Sequence, residues 1–234
     1  MHTPPPEKSL PRRSFMARLA SAVAAFGGAT ALGPSNADAS ATGPWVPTRH
    51  AQDDWFDQIP GQHRFFFDTI SPIGAGDGIT FASNFLVASK SGYGLDESAN
   101  AVVIGLRHYA TPFAFSDAIW AKYGAVFADR IKFMDPKTNT APVINVYLVT
   151  GYGMTLPNRE TTLPMMIRRG VHFAVCDMAT KALAGLAATR MQLKASDVYD
   201  EMRAAAIPNT HFSPAGIVAV NRAQERGYAI QHIG

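Results

Sequence analysis

The chain has 234 residues, of which 47% are hydrophobic and 17% are charged, and its formal net charge is +3. This composition is typical of a compact domain with a sizeable core and argues against a disordered chain. The small net charge gives no support to a nucleic-acid partner, which requires a clustered basic face.

The first 39 residues have the three-part order of an export signal. Arg12 and Arg13 precede an uncharged apolar run at residues 19–32, and Ala37-Asp38-Ala39 supplies the small-x-small pattern of a signal peptidase site. The adjacent arginines predict a twin-arginine signal peptide over residues 1–39. We therefore expect the Tat translocase as an export partner and a periplasmic or secreted location. An ordinary secretory signal that contains two arginines is the alternative.

The apolar run of the leader also bears on membrane insertion. It contains 14 residues, fewer than the roughly 20 that a spanning helix needs, and no later segment is long and apolar enough. We expect no stable membrane insertion. The leader holds four of the 21 basic and two of the 18 acidic residues, so the remainder carries 17 and 16, a net charge of +1. The basic excess belongs mainly to the leader, and we expect no nucleic-acid partner.

Residues 40–63 are rich in Pro, Ser, Thr and Gly and are predicted to form an extended N-terminal arm. The remainder, residues 64–234, alternates apolar strands with helical patterns. Strands are predicted at 64–69, 101–106, 170–176 and 228–230, and helices at 79–89, 116–127, 161–169, 177–189, 196–205 and 216–225. This alternation predicts an α/β domain with a flavodoxin-like open parallel sheet sandwiched by helices.

Three segments connect these elements. The glycine-rich residues 71–78 are predicted to form a tight turn, and they lack the lysine of a P-loop and a full dinucleotide fingerprint. Residues 131–149 contain two β-prone runs around turn residues and predict a hairpin, inside an insertion at about 129–169. Residues 208–212 are predicted to be a loop.

Cys176 is the only cysteine and the last residue of the predicted strand 170–176. Sites in open α/β sheets form beyond the carboxyl ends of the strands. The following helix would direct backbone N–H groups and its positive dipole end at the sulfur, which favours the nucleophilic thiolate. Asp177 opposes a second negative charge, and a free cysteine can also be an inert buried hydrophobe. We interpret Cys176 as the first catalytic candidate.

Other side chains are predicted at the same edge of the sheet. His108 is the second catalytic candidate, a base for the thiol, and Arg107 is expected to bind sulfur oxyanion or carboxylate groups. His211 is expected to close over the site from its loop, and Asp177 is placed with it among the ligand-binding residues. His172 alternates within a strand and is interpreted as a packing residue. The histidines lack zinc-ligand spacing, so no metal is predicted.

The motif G-V-x-F-x-V-C at 170–176 is followed by P-A-G-I at 214–217 and Q-x-x-G-Y-A-I at 224–230. In this order the motifs resemble the DsrE-type family of small sulfur-handling proteins. The resemblance covers about 64–233 in element order and is most specific after residue 170. It implies a DsrE-like homo-oligomeric domain in which Cys176 carries persulfide sulfur. The chain is long for this family, and most of the family is cytoplasmic.

The leader and the resemblance together predict an exported protein that binds or relays sulfur through Cys176, without a bound cofactor. A thiol-bearing acceptor protein must exist, because the chain has no second cysteine. One alternative is a non-catalytic oligomeric binding or assembly module with an inert buried thiol; another is a Cys-His hydrolase that uses Cys176 and His108. A homo-oligomer is also predicted, because some of the aromatic residues at 65–67, Phe113, Phe115 and Trp120 are expected to exceed what a single domain can bury.

Overall fold

The structure, a computed structural model, describes residues 46–234. The predicted signal peptide and the first part of the predicted arm lie outside the described residues. Within the described part of the chain, no helix is both long and apolar enough to cross a membrane.

Five parallel strands form one open sheet. They are β1 (His63–Thr69), β2 (Asn100–Leu106), β3 (His172–Cys176), β4 (Thr210–Ser213) and β5 (Ala229–Ile233). Their spatial order is β4-β3-β2-β1-β5, and every neighbouring pair is parallel. The α/β class and the open parallel sheet are therefore confirmed.

Helices connect these strands and cover the sheet. They are α1 (Trp55–Gln58), α2 (Pro72–Tyr93), α3 (Asp117–Ile131), α4 (Leu163–Arg168), α5 (Asp177–Met191), α6 (Ala195–Ala204) and α7 (Gly216–Gln224). A 3-10 segment, His108–Ala114, follows β2. The predicted extended arm thus contains a short helix, α1.

The sheet has two unequal faces. Helices α2 to α6 cover the first face, where Phe67, Ile104 and Val175 belong to the larger core. Helices α1 and α7 cover the second face, where Phe66 and Val103 belong to a smaller core. The central strands are buried on both faces, which explains why their sequences are continuous apolar runs without polar alternation.

The change of face occurs between two neighbouring strands. After β3 the chain enters α5 on the first face, and after β4 it enters α7 on the second face. Connections that leave adjacent strands in opposite directions open a crevice outside their carboxyl ends. Cys176 ends β3 and therefore lies at this crevice.

The predicted turn at residues 71–78 is wrong, because this glycine-rich stretch is the beginning of α2. Ser71 accepts a hydrogen bond from the Gly74 amide at 2.9 Å, and Pro72 occupies the first helical turn, as helix starts favour. A Cβ atom on Gly76 would come within 2.7 Å of the Tyr147 hydroxyl. The glycine there permits close packing.

The predicted hairpin at residues 131–149 is confirmed only at its turn, residues 135–139, and its two strands do not form. Its β pairing is limited to one isolated bridge between Asp135 and Thr140. The amide of Asn145 instead holds this irregular segment to the domain by donating to the carbonyls of Phe113 and Phe115 at 2.8 and 2.9 Å. Tyr147 is fully buried against the first face, so tertiary contacts replace strand pairing.

The aromatic argument for an oligomer is wrong as well. Of the six aromatic residues in that argument, five are at most 4% exposed within the single chain, and Phe65 is half-buried against the larger core. One domain therefore buries nearly all of the aromatic load that the sequence suggested was excessive.

Candidate functional site

The site is built around Cys176, which is the last residue of β3 and the N-cap of α5. Its sulfur accepts a hydrogen bond from the Ala179 amide at 3.4 Å, and the residue is 8% exposed. The 15-residue helix α5 thus directs free N–H groups and its positive dipole end at the sulfur. Cys176 therefore lies at the carboxyl end of a strand and at the amino end of a helix, as predicted from its position in the sequence.

Arg107 lines the same cleft, whose volume is about 310 Å³. Its Nε and Nη2 atoms donate to the two carboxylate oxygens of Asp68 at 2.6 and 2.8 Å. The hydrogen bond to Asp68 raises the pKa of Arg107; partial burial opposes this rise, and the negative charges of Asp68 and Cys176 add to it. The guanidinium therefore keeps its charge, and its Nη1 atom stays available to a ligand.

Asp68 is the centre of a network that sequence reasoning missed. Its side chain is 4% exposed, and His232 from β5 contacts its second carboxylate oxygen through Nδ1 at 2.8 Å. An acidic residue after three phenylalanines in a buried strand was the sequence signal that could have revealed it. Asp68 is a positioning residue, because its bidentate contact fixes the plane of the Arg107 guanidinium.

The amino end of α7 forms the opposite wall of the cleft. Ala215, Gly216 and Ile217 line it, and a Cβ atom on Gly216 would lie 2.3 Å from the Cβ of Arg107. The glycine therefore allows the Arg107 side chain to pass over the start of α7. Two helix starts, from opposite faces of the sheet, converge on one cleft, which favours an anionic ligand.

Ser213 ends β4 and lies beside Cys176 in the strand register. It is 1% exposed, and its hydroxyl has no hydrogen-bond partner among the described residues. Parallel neighbours in register point to the same face, so this hydroxyl lies on the α7 side with the cysteine. A buried hydroxyl without a partner is uncommon in folded proteins, and Ser213 is not among the residues that line the cleft.

His108 also lines the cleft, as predicted, and it is exposed. Its φ of 56° places it in the left-handed region, and its ring stacks on Tyr109 with centroids 4.0 Å apart. Within residues 46–234, no side chain hydrogen bonds to its imidazole. The oriented base that a Cys-His hydrolase requires is therefore absent from the described arrangement.

Asp177, predicted among the ligand-binding residues, belongs instead to a contact between α5 and α6. Its carboxylate accepts from Tyr199 at 2.6 Å and from Arg203 at 2.8 Å, and it pairs with Lys181 at 2.8 Å. Burial by itself would raise the pKa of Asp177, but the hydrogen bonds from Lys181 and Tyr199 outweigh it and lower the pKa. Three donors thus neutralise the charge that the sequence placed against the cysteine.

The prediction that His211 closes over the site from a loop is wrong. His211 lies within β4, and its Nε2 atom is 2.9 Å from Nδ1 of His172. The indole of Trp55 stacks on its ring with centroids 3.9 Å apart. Burial, together with the neighbouring His172, lowers the pKa of His211 to about 4. This neutral stack fixes the arm to the second face.

Within the described part of the chain, no group of three or more His, Cys, Asp or Glu side chains lies close enough together to hold a metal ion. Comparisons of the chain with protein-family models, curated proteins and solved structures gave no significant match. The functional argument therefore depends on the geometry of the cleft and on the motifs of the sequence.

Proposed function

We propose that this protein carries sulfane sulfur on Cys176 as a DsrE-like persulfide carrier. The observation that supports this most is the position of Cys176 at the start of α5, in a cleft that Arg107 also lines. Both features stabilise the anionic thiolate and the anionic persulfide that follows it. The motif order of residues 170–230 supports the same family resemblance.

The sulfur step requires no cofactor. The Cys176 thiolate attacks the outer sulfur of a persulfide donor, R–S–SH, and forms a new S–S bond. The S–S bond of the donor breaks, and R–S⁻ leaves with its electron pair. The product, Cys176–S–SH, can pass its outer sulfur to an acceptor thiol in the same way. That thiol belongs to a partner protein, because the chain has one cysteine.

The test is intact-mass spectrometry after treatment with inorganic polysulfide. The wild-type protein should gain one sulfur atom that a reductant removes, and the Cys176→Ser variant should gain none. Equal labelling of both proteins, or labelling of neither, would overturn the proposal. Circular dichroism of the variant verifies that it is folded.

A binding module with an inert thiol is the second candidate function. The 8% exposure of Cys176 favours it, because a thiol of low access reacts slowly. Reaction with a thiol reagent distinguishes the two functions. A carrier should react within seconds to minutes in the native state, whereas an inert thiol should react only after the chain is denatured.

Export by the twin-arginine route is part of the same proposal, supported by Arg12, Arg13 and the apolar run that follows them. The double substitution Arg12→Lys and Arg13→Lys keeps the charge and removes the planar donor array that a receptor would read. The precursor should then accumulate uncleaved in the cytoplasm. Normal processing would indicate the general secretory route.

We also propose a homo-oligomer, which the family resemblance implies. Ile73 and Val87 on α2 are 51% and 56% exposed and offer apolar surface for a second copy. Light scattering at micromolar concentration should give a multiple of the mass of the mature chain. A mass near that of one chain would contradict this part of the proposal.

A further inference from the structure

A second cavity, which we call the α5 groove, adjoins the cleft of Cys176. It has a volume of about 390 Å³, within the range of small-molecule sites. Ile131, Ala182, Leu183 and Leu186 give it an apolar lining. The α5 groove and the Cys176 cleft have His108 and Ala179 in common, so an elongated ligand could reach both.

Arg130 supplies the positive charge of the α5 groove. Its guanidinium carbon lies 5.3 Å from the centroid of the Tyr109 ring, which in turn stacks on His108. The neighbouring carboxylate, Asp129, pairs instead with Lys132 and Arg190. No carboxylate within residues 46–234 forms an ion pair with Arg130. A stacked guanidinium keeps its N–H edge free, and that edge binds carboxylates and other oxyanions.

The two ends of the α5 groove differ in chemistry. The Ala179 end adjoins the sulfur of Cys176. The contact between Arg190 and Asp129 holds the end of α3 beside the end of α5, and from there the Arg130 guanidinium lies against the ring of Tyr109, the neighbour of His108. From Ala179 to Leu186 the helix rises roughly 10 Å. The groove therefore offers an apolar strip of medium length between a nucleophile and a cation.

We propose that the α5 groove binds an amphipathic, low-molecular-weight persulfide whose apolar body carries an anionic group at the end opposite its sulfur. The anion contacts Arg130, the body lies on Ala182 and Leu186, and the persulfide reaches Cys176. This inference rests on the proposed function for its sulfur chemistry. The Cys176 thiolate takes the outer sulfur from R–S–SH, and R–S⁻ leaves with the electrons of the broken S–S bond.

Binding is tested apart from sulfur chemistry, in the Cys176→Ser protein, with two thioethers that cannot react. Calorimetry compares 8-(methylthio)octanoate with the uncharged 8-(methylthio)octanamide. The carboxylate should bind at least about fivefold more tightly than the amide, as expected for one partly exposed charge-assisted contact. Arg130→Gln should abolish this preference. The matched control Arg168→Gln removes an exposed arginine on α4 outside the groove lining, and it should keep the preference.

A second variant blocks the apolar strip. Ala182→Leu places a larger side chain in the groove at an exposed position of α5, where leucine is a good helix former. It should prevent binding of both thioethers while the far-ultraviolet dichroism stays unchanged. Binding that survives this substitution would place the ligand elsewhere and overturn the inference.

Reactivity completes the test in the wild-type protein. The persulfide of 8-mercaptooctanoate should load Cys176 at least about fivefold faster than the persulfide of its amide, in line with the binding preference. If neither thioether binds, or Arg130→Gln binds like Arg168→Gln, the groove inference is overturned although polysulfide loads Cys176. If polysulfide fails to load Cys176 while binding depends on Arg130, the proposed function fails and the binding site stands.

Discussion

Substitution of Asp68 by Asn tests whether the buried carboxylate holds Arg107 in place. In the native protein the Asp68 carboxylate receives two hydrogen bonds from Arg107, at 2.6 and 2.8 Å, and contacts His232 at 2.8 Å. Asn keeps one oxygen acceptor, so one bond to Arg107 survives. The second position becomes an amide NH₂ that faces another donor, and the negative charge is lost.

The size of the effect follows from the exposure of the three side chains. Removal of one partner from a fully buried ion pair costs about 3–5 kcal/mol. The Arg107 side chain is 21% exposed and that of His232 is 55% exposed, so water solvates part of the positive charge. We therefore expect the free energy of unfolding to fall by about 2–3 kcal/mol.

Urea denaturation followed by circular dichroism measures this loss, with Asp129→Asn as the matched control. Asp129 also contacts two cations, Lys132 and Arg190, but its side chain is 48% exposed. Because water screens an exposed ion pair, its substitution should lower the free energy of unfolding far less than Asp68→Asn does. Loading of Cys176 by polysulfide should also slow in Asp68→Asn, because Arg107 is no longer oriented. Equal, small losses in both variants would refute the positioning role of Asp68.

Two further predictions concern packing and pH. Gly216→Ala should destabilise the fold by about 1–3 kcal/mol, because the new Cβ atom would lie 2.3 Å from the Cβ of Arg107. Gly185→Ala, where the new Cβ atom would enter open space, should stabilise α5 by about 0.5–1 kcal/mol. Urea midpoints that shift in the same direction in both variants would contradict this contrast. The low pKa of His211, about 4, keeps it neutral in the fold, whereas the unfolded chain takes up a proton near 6.5. Stability should therefore fall by about 1 kcal/mol as the pH falls from 6.5 to 4, a value reduced for the half-exposed ring. His211→Gln should flatten this part of the urea-midpoint profile, and an unchanged slope would contradict the assignment.

Short-range patterns in the sequence were enough to predict the fold class and the position of the cysteine. The apolar runs at residues 64–69, 101–106 and 170–176 reflect strands buried on both faces, and burial of this kind leaves a clear compositional signal. The end of the strand at Cys176 and the start of the next helix are adjacent in the chain, so their geometry is a local property. Arg107 and His108 were placed at the same edge for the same reason.

Other features depended on contacts between residues that are distant in the chain. The strand β4 is short, four residues, and lies at the sheet edge, so its pattern resembled a loop until pairing with β3 was known. The role of Gly76 depends on Tyr147, which packs on α2 from a segment about 70 residues away. A residue pattern cannot indicate such a neighbour, because the chain brings it close only after folding.

The residues of the candidate site also fall into those that local sequence patterns predict and those that depend on tertiary contacts. The sequence by itself determined that the one thiol lies at the end of a parallel strand, because the residue patterns that predict the strand and the following helix are adjacent in the chain. Only the tertiary structure decided that Asp68 and His232 orient Arg107, that Asp177 is engaged by α6, and that no carboxylate of residues 46–234 pairs with Arg130. Those relations join separate strands and helices, and the packing of the sheet and its two helical layers, rather than local propensity, sets their distances.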